Sequence, residues 1–486
     1  MANNWEEQTI EQLQAPKKGA IAMGPFGSRI KAENFVNTGI PIIKGAQLHG
    51  TFLNDVSFDF LTQEKADELG SSKAYRGDIV ITHRGTIGQV SVIPYNSSYE
   101  TYIVSQSQLK VSLNTELINP YFAAYFLNSH LGQHRLLANS SQVGVPAIAK
   151  ASTSVKQILI PVPELDLQNK IVKNLLSIDN KIELNRQTNQ TLEQMAQALF
   201  KSWFVDFDPV IDNALAAGNA LPDALQKRAL IRKEMRTHYK EKTQQLDGFH
   251  PLPDGLPQEI RALFPSEFEQ TDEPSMGIEG WIPKGWKVKL LSEITTELRR
   301  GISPKYVEEG GVQVINQKCI RNHEINFSLC RRNNPELKKV TGKELQLGDV
   351  LVNSTGVGTL GRVAQVNYLP ESTVVDSHVT VVRPDFLIYP RYTFGQLMLT
   401  NEHRIETLGE GSTGQTELSR KILGELKVVL PPTNLTYVIE ETFKSFVDKQ
   451  TSNYIQASSL EKLRDTLLPK LISGEITIPT SEQSKH

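Results

Sequence analysis

Two textures of hydrophobic and polar positions alternate along the 486 residues, and each occurs twice. In the first, apolar residues fall in short β-branched runs such as Ile79-Val-Ile81 and Val350-Leu-Val352, broken every few residues by Gly, Pro, Asn or Ser. Runs of that length between turn formers predict the strands of a compact mixed α/β domain. In the second, Ile171, Leu175, Ile178, Ile182, Asn185, Asn189, Leu192, Ala196, Leu199 and Trp203 step by alternating four and three, the a/d spacing of a coiled coil. Ile439, Phe443, Phe446, Gln450, Asn453, Ala457, Leu460, Arg464, Leu467 and Leu471 repeat those steps. Both seams are apolar at their ends and polar in the middle. Polar groups at seam positions cost stability but select register and partner. The helices are therefore expected to pack on each other, antiparallel, through Ile171, Leu175, Ile178, Ile182, Leu192, Leu199, Ile439, Phe443, Phe446, Leu460, Leu467 and Leu471. Two separate amphipathic helices, each covering its own domain, are the alternative.

The duplication extends to individual residues. Trp5, Ile10 and Leu13 recur as Trp286, Leu291 and Ile294, and Lys17-Lys18-Gly19 is aligned with Arg299-Arg300-Gly301. Ile40-Pro-Ile-Ile43 answers to Val312-Gln-Val-Ile315, and Gly77-Asp78 to Gly348-Asp349, after which the second copy carries a two-residue insertion. From Pro163 and Pro431 onward the register is ungapped at an offset of 268. A register held that long marks an internal repeat. The fold class expected is α+β: two globular mixed α/β domains separated by two long antiparallel coiled-coil helices, with an internal pseudo-two-fold repeat. The boundaries are 1–163 for the first domain, 164–210 for its long helix, 211–280 for a linker with a short helix from Asp223 to about Lys242, 281–432 for the second domain, 433–475 for its long helix and 476–486 for a polar tail.

Composition narrows the functions. With 52 Lys and Arg against 54 Asp and Glu the formal charge is −2, so any attraction to nucleic acid must come from basic groups gathered locally. Two cysteines, Cys319 and Cys330, provide neither a disulfide framework nor zinc-site spacing, and are read as two buried thiols in a reducing compartment. No apolar run of about 18 residues suggests a membrane span, and the start Met-Ala-Asn-Asn-Trp-Glu-Glu lacks signal-peptide character, so a cytoplasmic protein is expected.

Catalytic patterns are weak. Gly356-Val-Gly358-Thr-Leu-Gly361 fits a dinucleotide fingerprint literally, but the adjoining Arg362-Val-Ala-Gln-Val366 reads as a strand where the fingerprint needs a helix N-terminus. Asn119-Pro120-Tyr121-Phe122 is close to the Asn-Pro-Pro-aromatic motif of adenine N6-methyltransferases but lacks the second proline; its counterpart Tyr389-Pro390-Arg391-Tyr392 lacks the Asn, so both read as proline-started helices. There is no phosphate-binding loop ending in Lys-Ser/Thr and no His pair at metal-ligand spacing. No catalytic or metal-ligating residue is singled out.

What recurs is basic and amide-rich loops. Lys17, Lys18, Arg29 and Lys31 flank Gly24-Pro-Phe-Gly-Ser28; Arg299, Arg300 and Lys305 flank Gly301-Ile-Ser-Pro304, with Lys318, Arg321, Arg331 and Arg332 nearby in sequence. Residues 281–432 carry 20 Lys and Arg against 16 acidic residues, residues 1–163 carry 13 against 12, so clustering matters more than totals. Recurrence in both copies favours phosphate contact, with Asn, Gln and Arg available for base edges.

Residues 190–209, Gln-Thr-Leu-Glu-Gln-Met-Ala-Gln-Ala-Leu-Phe-Lys-Ser-Trp-Phe-Val-Asp-Phe-Asp-Pro, resemble the central conserved segment of the specificity subunit of type I restriction-modification systems. Leu460-Glu-Lys-Leu-Arg-Asp-Thr-Leu-Leu-Pro-Lys-Leu-Ile-Ser-Gly474-Glu is similar to its distal segment, and Gly24-Pro-Phe-Gly-Ser28 and Gly280-Trp-Ile-Pro-Lys-Gly-Trp286 to shorter family motifs. The resemblance implies a non-catalytic subunit whose two target recognition domains each read half of a split, asymmetric site in double-stranded DNA. The helices would space the halves and receive two methyltransferase subunits, and restriction subunits would join through the complex. No cofactor would be bound by this chain; S-adenosylmethionine, ATP and Mg would belong to the partner subunits. Loops carrying Arg29, Lys44, Gln47, Arg84 and Gln142 in the first domain, and Arg299, Asn316, Lys318, Thr355 and Gln415 in the second, are expected to face DNA. An autonomous adenine N6-DNA methyltransferase and a coiled-coil protein-binding scaffold are the other readings.

Overall fold

The computed structural model describes residues 5–26, 29–141, 144–243, 256–409 and 417–476. The chain divides into two compact units: Met1–Leu184 with Gln456–His486, and Asn185–Ile455. Each unit thus combines one globular domain with part of both long helices.

In the first unit the strand Ile79–Thr82 is buried at every position, as a run with no polar face must be. It is central in an antiparallel sheet of order Ile21–Met23, Gln108–Val111, Ile79–Thr82, Val90–Val92. A second sheet runs Phe35–Val36, Asp59–Leu61, Ile40–Ile43, Thr101–Val104, Lys73–Tyr75, with Ile40–Ile43 and Thr101–Val104 parallel. The helix Pro120–Asn128 starts on proline, whose missing N–H would have had no partner there, and Asn119 Oδ1 caps it by accepting from the Tyr121 N–H at 2.8 Å. Phe122, Tyr125 and Phe126 fill the core against Ile79, Ile81, Leu109 and Val111. Ile171, Val172 and Leu175 of the helix Leu165–Phe204 join this core with Leu468, Leu471 and Ile472 of the helix Thr433–Ile472. Asp179 then accepts from Arg464 at 2.8 Å and from the Tyr125 hydroxyl at 2.5 Å.

The second unit repeats the plan. Its antiparallel sheet runs Thr295–Arg300, Val379–Pro384, Val350–Asn353, Val363–Gln365, and its mixed sheet runs Tyr306–Val307, Arg331–Asn333, Val312–Ile315, Thr373–Val375, again with the last two parallel. Phe200, Phe204, Leu435, Ile439 and Phe443 of the long helices pack on Trp286, Leu291, Ile294, Val350 and Phe394. The polar middle of the seam is hydrogen-bonded across the helices: Asn189 Nδ2 donates to the Gln450 carbonyl (3.0 Å), Gln450 Nε2 to the Asn189 carbonyl (3.2 Å) and Asn453 Nδ2 to Asn189 Oδ1 (2.9 Å). In each unit a later residue of one helix meets an earlier residue of the other, so the pairing is antiparallel.

Several expectations are corrected. The alignment of Lys17-Lys18-Gly19 with Arg299-Arg300-Gly301 is five residues out of register. Met23 pairs with Leu109 and Arg300 with Thr380, which makes Ala22-Met23-Gly24 the counterpart of Arg299-Arg300-Gly301. Lys17 and Lys18 precede the strand, exposed in a turn. On the helices, Ile178, Leu192, Leu199, Phe446, Leu460 and Leu467 are only half-buried, while Phe200, Phe204, Val447, Leu468 and Ile472 are buried beside the expected seam. A straight helix of 3.6 residues per turn drifts off a strict 3.5-residue stripe, and the globular cores take up the drift at the ends. Cys319 is buried but Cys330 only partly, their sulfurs 3.8 Å apart.

The segment expected as a linker is folded. After the helix ends at Phe204, Phe207 takes a left-handed conformation (φ 55°) and helices Asp208–Ala217 and Asp223–Thr243 come next. Asp208 binds the Arg228 guanidinium at 2.7 and 2.9 Å, and Phe207, Val210, Leu256 and Phe264 enter the second unit's core. Most of His250-Pro-Leu-Pro-Asp-Gly-Leu-Pro257, and all but the first residue of the tail, lie outside the described residues.

Candidate nucleic-acid interface

In the second unit five loops converge where the parallel strands end. Gly301 packs so closely that a Cβ would lie 2.1 Å from the carbonyl oxygens of Val375 and Asp376, which is why the chain needs glycine there. The Arg300 guanidinium ties residues 377 and 417–418 together, donating to the Ser377 carbonyl (3.1 Å), the Leu418 carbonyl (2.8 Å) and the Glu417 carboxylate (2.9 Å). Thr355 Oγ1 lies 2.8 Å from His378 Nδ1 and donates to Gln317 Oε1 at 3.3 Å, joining the loops after Asn353, Asp376 and Ile315. Asp376 accepts from the His378 N–H, and burial raises its carboxyl above the usual range. From this frame the turn Gly356-Val-Gly358 projects, with Val357 84% exposed, and Lys305, Lys318 and Arg321 stand in solvent. The glycine-rich stretch is therefore a tight turn leading into the strand Val363–Gln365, with no helix N-terminus for a pyrophosphate.

The first unit builds the same end. A Cβ on Gly24 would lie 1.9 Å from the Ser105 carbonyl oxygen, the counterpart of the Gly301 approach, and Phe26 lies just beyond it, 57% exposed. Gln89 Nε2 donates to the carbonyls of Gly45 and Leu48 at 3.1 Å. His83, lowered in pKa by burial, passes its backbone N–H to Ser107 and accepts from Ile148, while Gly85 donates to the Pro146 carbonyl. Arg84 and Thr86 are exposed at the tip.

The ten residues expected to face DNA are therefore divided. Arg29, Arg84 and Lys318 are exposed, and Thr355 sits in the hydrogen-bonded frame of the loops. Lys44 forms an ion pair with Asp59 and lies 5.6 Å from the Phe35 ring centroid. Gln47 is buried: its Oε1 accepts from the Lys44 N–H and its Nε2 donates to Ser57, so it builds the turn and offers nothing to a base. Arg299 is likewise buried, donating to the Lys343 carbonyl and paired with Glu297, because its strand position points away from the loop end. Asn316 caps the turn 317–319 by accepting from the Lys318 N–H. Gln142 and Gln415 lie outside the described residues. Asn119, the residue behind the methyltransferase reading, is occupied as a helix cap and donates its amide to Asn169 at 2.8 Å. Two residues stand out for partners that no sequence pattern signals. Arg331 lies over the Tyr306 ring, 3.4 Å from its centroid, a pairing that only the strand register produces. His323 bridges Glu193 (3.4 Å) and Glu402 (2.7 Å), which hold its pKa at about 9.

Among the described residues no helix is long and apolar enough to cross a membrane, and no group of three or more His, Cys, Asp or Glu is placed to hold a metal ion. The sequence pattern of the type I restriction modification DNA specificity domain matches the chain twice, at residues 25–194 and 283–458. The chain is 27% identical over 415 residues to the type I restriction enzyme HindI specificity subunit of Haemophilus influenzae, covering 81% of this chain and 87% of that protein. It is 22% identical over 427 residues to the type I restriction enzyme MjaIX specificity subunit of Methanocaldococcus jannaschii, covering 86% and 82%. Among solved structures, its fold resembles that of the type I restriction-modification system S subunit from M. genitalium, with a TM-score of 0.52 at 15% identity over 98% of this chain and 97% of that one.

Proposed function

Since the chain belongs to the type I restriction-modification DNA specificity family, we propose that it is the sequence-reading subunit of such a complex. The observation that carries this reading is the doubled loop end: the same strand order brings five loops together in each unit, with differing side chains on a repeated frame. Two readers on one chain suit a site of two unlike halves, and each unit's loops combine exposed cations for phosphates with polar groups for base edges. The long helices, hydrogen-bonded at their polar middle, set the spacing of the halves and receive two methyltransferase subunits. Restriction subunits join through the complex. The chain works in the cytoplasm and does no chemistry itself; S-adenosylmethionine, ATP and Mg act on the partner subunits.

Mapping methylated bases in a genome that carries this chain with its methyltransferase partner tests the reading. A split motif is expected, and replacing residues 1–163 by the same domain of a relative should change one half only. Alteration of both halves by that swap refutes the two-reader arrangement. Binding of S-adenosylmethionine to the isolated chain would favour an autonomous methyltransferase, and failure of the chain with its partner to retard any duplex would favour a protein scaffold.

A further inference from the structure

The two units differ most tellingly at one topologically equivalent position, and the inference drawn from it rests on the DNA-reading function proposed above. Strand register defines the equivalence. Ile43 pairs with Val104 as Ile315 pairs with Val375, so Lys44 corresponds to Asn316. Ile42 pairs with Asp59 as Val314 pairs with Arg331, so Asp59 corresponds to Arg331. Phe35 and Tyr306 open the equivalent edge strands, and both are solvent-exposed, at 40% and 36%.

Each unit therefore has an exposed aromatic ring with a cation over it, but the cation comes from a different strand. In the first unit it is Lys44, and its charge is met by Asp59. In the second it is Arg331, standing where the first has Asp59, and no carboxylate among the described residues lies within ion-pair distance of it. The next residue, Arg332, is by contrast neutralised by a two-pronged pair with Glu371 at 2.7 and 3.1 Å. Arg331 thus lies on the ring with no carboxylate among the described residues paired to it. Arg331 pairs with Val314, one residue before Ile315 and its partner Val375, which places the Arg331–Tyr306 pair beside the converging loops.

We propose that this aromatic–cation position is a specificity-determining contact and that Arg331, stacked on Tyr306, reads the O6 and N7 edge of one guanine in the half-site of the second domain. A guanidinium laid on a ring keeps its in-plane N–H fork free, and that fork matches two acceptors side by side. A mere phosphate contact would call for an unpaired cation in both units. Instead the first unit has an acid–base pair at the position, a different hydrogen-bonding surface on the same frame, as two readers of unlike sequences require. Preorganisation on the ring also lowers the entropy lost when a long side chain is fixed.

The test uses the full chain with its methyltransferase partner. The wild-type motif is mapped first, then each guanine of the second half is replaced in turn by 7-deazaguanine in a binding duplex. One substitution is expected to weaken wild type by about tenfold or more and to leave Arg331→Ala indifferent. In methylation maps Arg331→Ala should relax that single position, with the first half-site unchanged as proof of an intact complex. Arg331→Lys, which keeps the charge but not the fork, should relax the same position and carries the test if the alanine variant fails to assemble. Equal weakening on every sequence, or an unaltered motif, overturns the proposal while leaving the DNA-reading function standing. Absence of any sequence-specific methylation by the wild-type complex overturns the function itself.

Discussion

The His323 bridge makes stability depend on pH in a direction opposite to that of most carboxylate pairs. His323 and Asn322 both adopt left-handed backbone conformations (φ 61° and 50°), which put the imidazole between Glu193 of the long helix and Glu402 of the helix Glu402–Glu406. Hydrogen bonds to Glu193 first, then Glu402, outweigh burial and raise its pKa from 6.5 to about 9. Burial pushes Glu193 and Glu402 up, but hydrogen bonds, the strongest from His323, leave both below the usual range. Arg362, Glu406 and Gln197 also line this site, and Glu324 and Arg186 the adjoining cleft of about 450 Å³. A group raised in the folded state stabilises fully below its unfolded pKa of about 6.5, and that contribution is lost as pH climbs through about 9. At about 1.4 kcal/mol per unit the shift corresponds to about 3 kcal/mol; with the three side chains each 24% exposed, about 2 kcal/mol is expected. Urea unfolding of the second unit can be monitored by the fluorescence of Trp203 and Trp286, both in its core. Wild type should lose about 2 kcal/mol between pH 7 and 10.5 beyond whatever His323→Gln loses. The variant should start lower at pH 7 by a similar amount. Equal pH dependence in the two proteins refutes the reasoning, since every other titrating group is common to both.

Further outcomes are expected elsewhere. Arg464→Ala should destabilise the first unit by about 2–3 kcal/mol, because it leaves the largely buried Asp179 carboxylate with Tyr125 alone, and little in an Asp179→Asn background; a double-mutant cycle in urea measures the coupling, and additivity refutes the helix register. Gly301→Ala should cost more than about 2 kcal/mol through collision with two carbonyls, whereas Gly358→Ala, with nothing within 4 Å of a Cβ but φ at +71°, should cost about 1 kcal/mol; equal losses in thermal unfolding contradict the close approach. Inserting one heptad into each long helix, after Gln187 and after Thr451, lengthens each by about 10 Å and should widen the spacer of the methylated motif by about three base pairs. An unchanged spacer in an active complex means that the helices do not set it.

Much of the fold was legible because its causes are local or periodic. The seam from Ile171 to Trp203 and its copy come from helical spacing, the Pro120 and Pro390 helix starts from a missing N–H, and the strands Ile79–Thr82 and Val350–Asn353 from short β-branched runs, each visible within a window of a dozen residues. The ungapped register of the distal halves carried the duplication and, with it, two readers on one chain. What sequence could not supply is whatever depends on which strand lies beside which. Lys17-Lys18 looks like Arg299-Arg300 in one dimension, but cross-strand pairing assigns Ala22-Met23 to that place. Gln47 and Arg299 are the right residue types for a base edge, yet both are buried, Gln47 inside its own turn and Arg299 on its strand against Glu297 and the Lys343 carbonyl. The connecting segment has the composition of a linker, but the pairing of buried Asp208 with Arg228, and Phe207, fold it onto the second unit's core. The Arg331 stack and the His323 bridge join residues 25 or more apart in sequence, and no local preference encodes them. Periodicity is a property of the chain, whereas juxtaposition is decided only when side chains distant in sequence compete for the same neighbours in a packed interior.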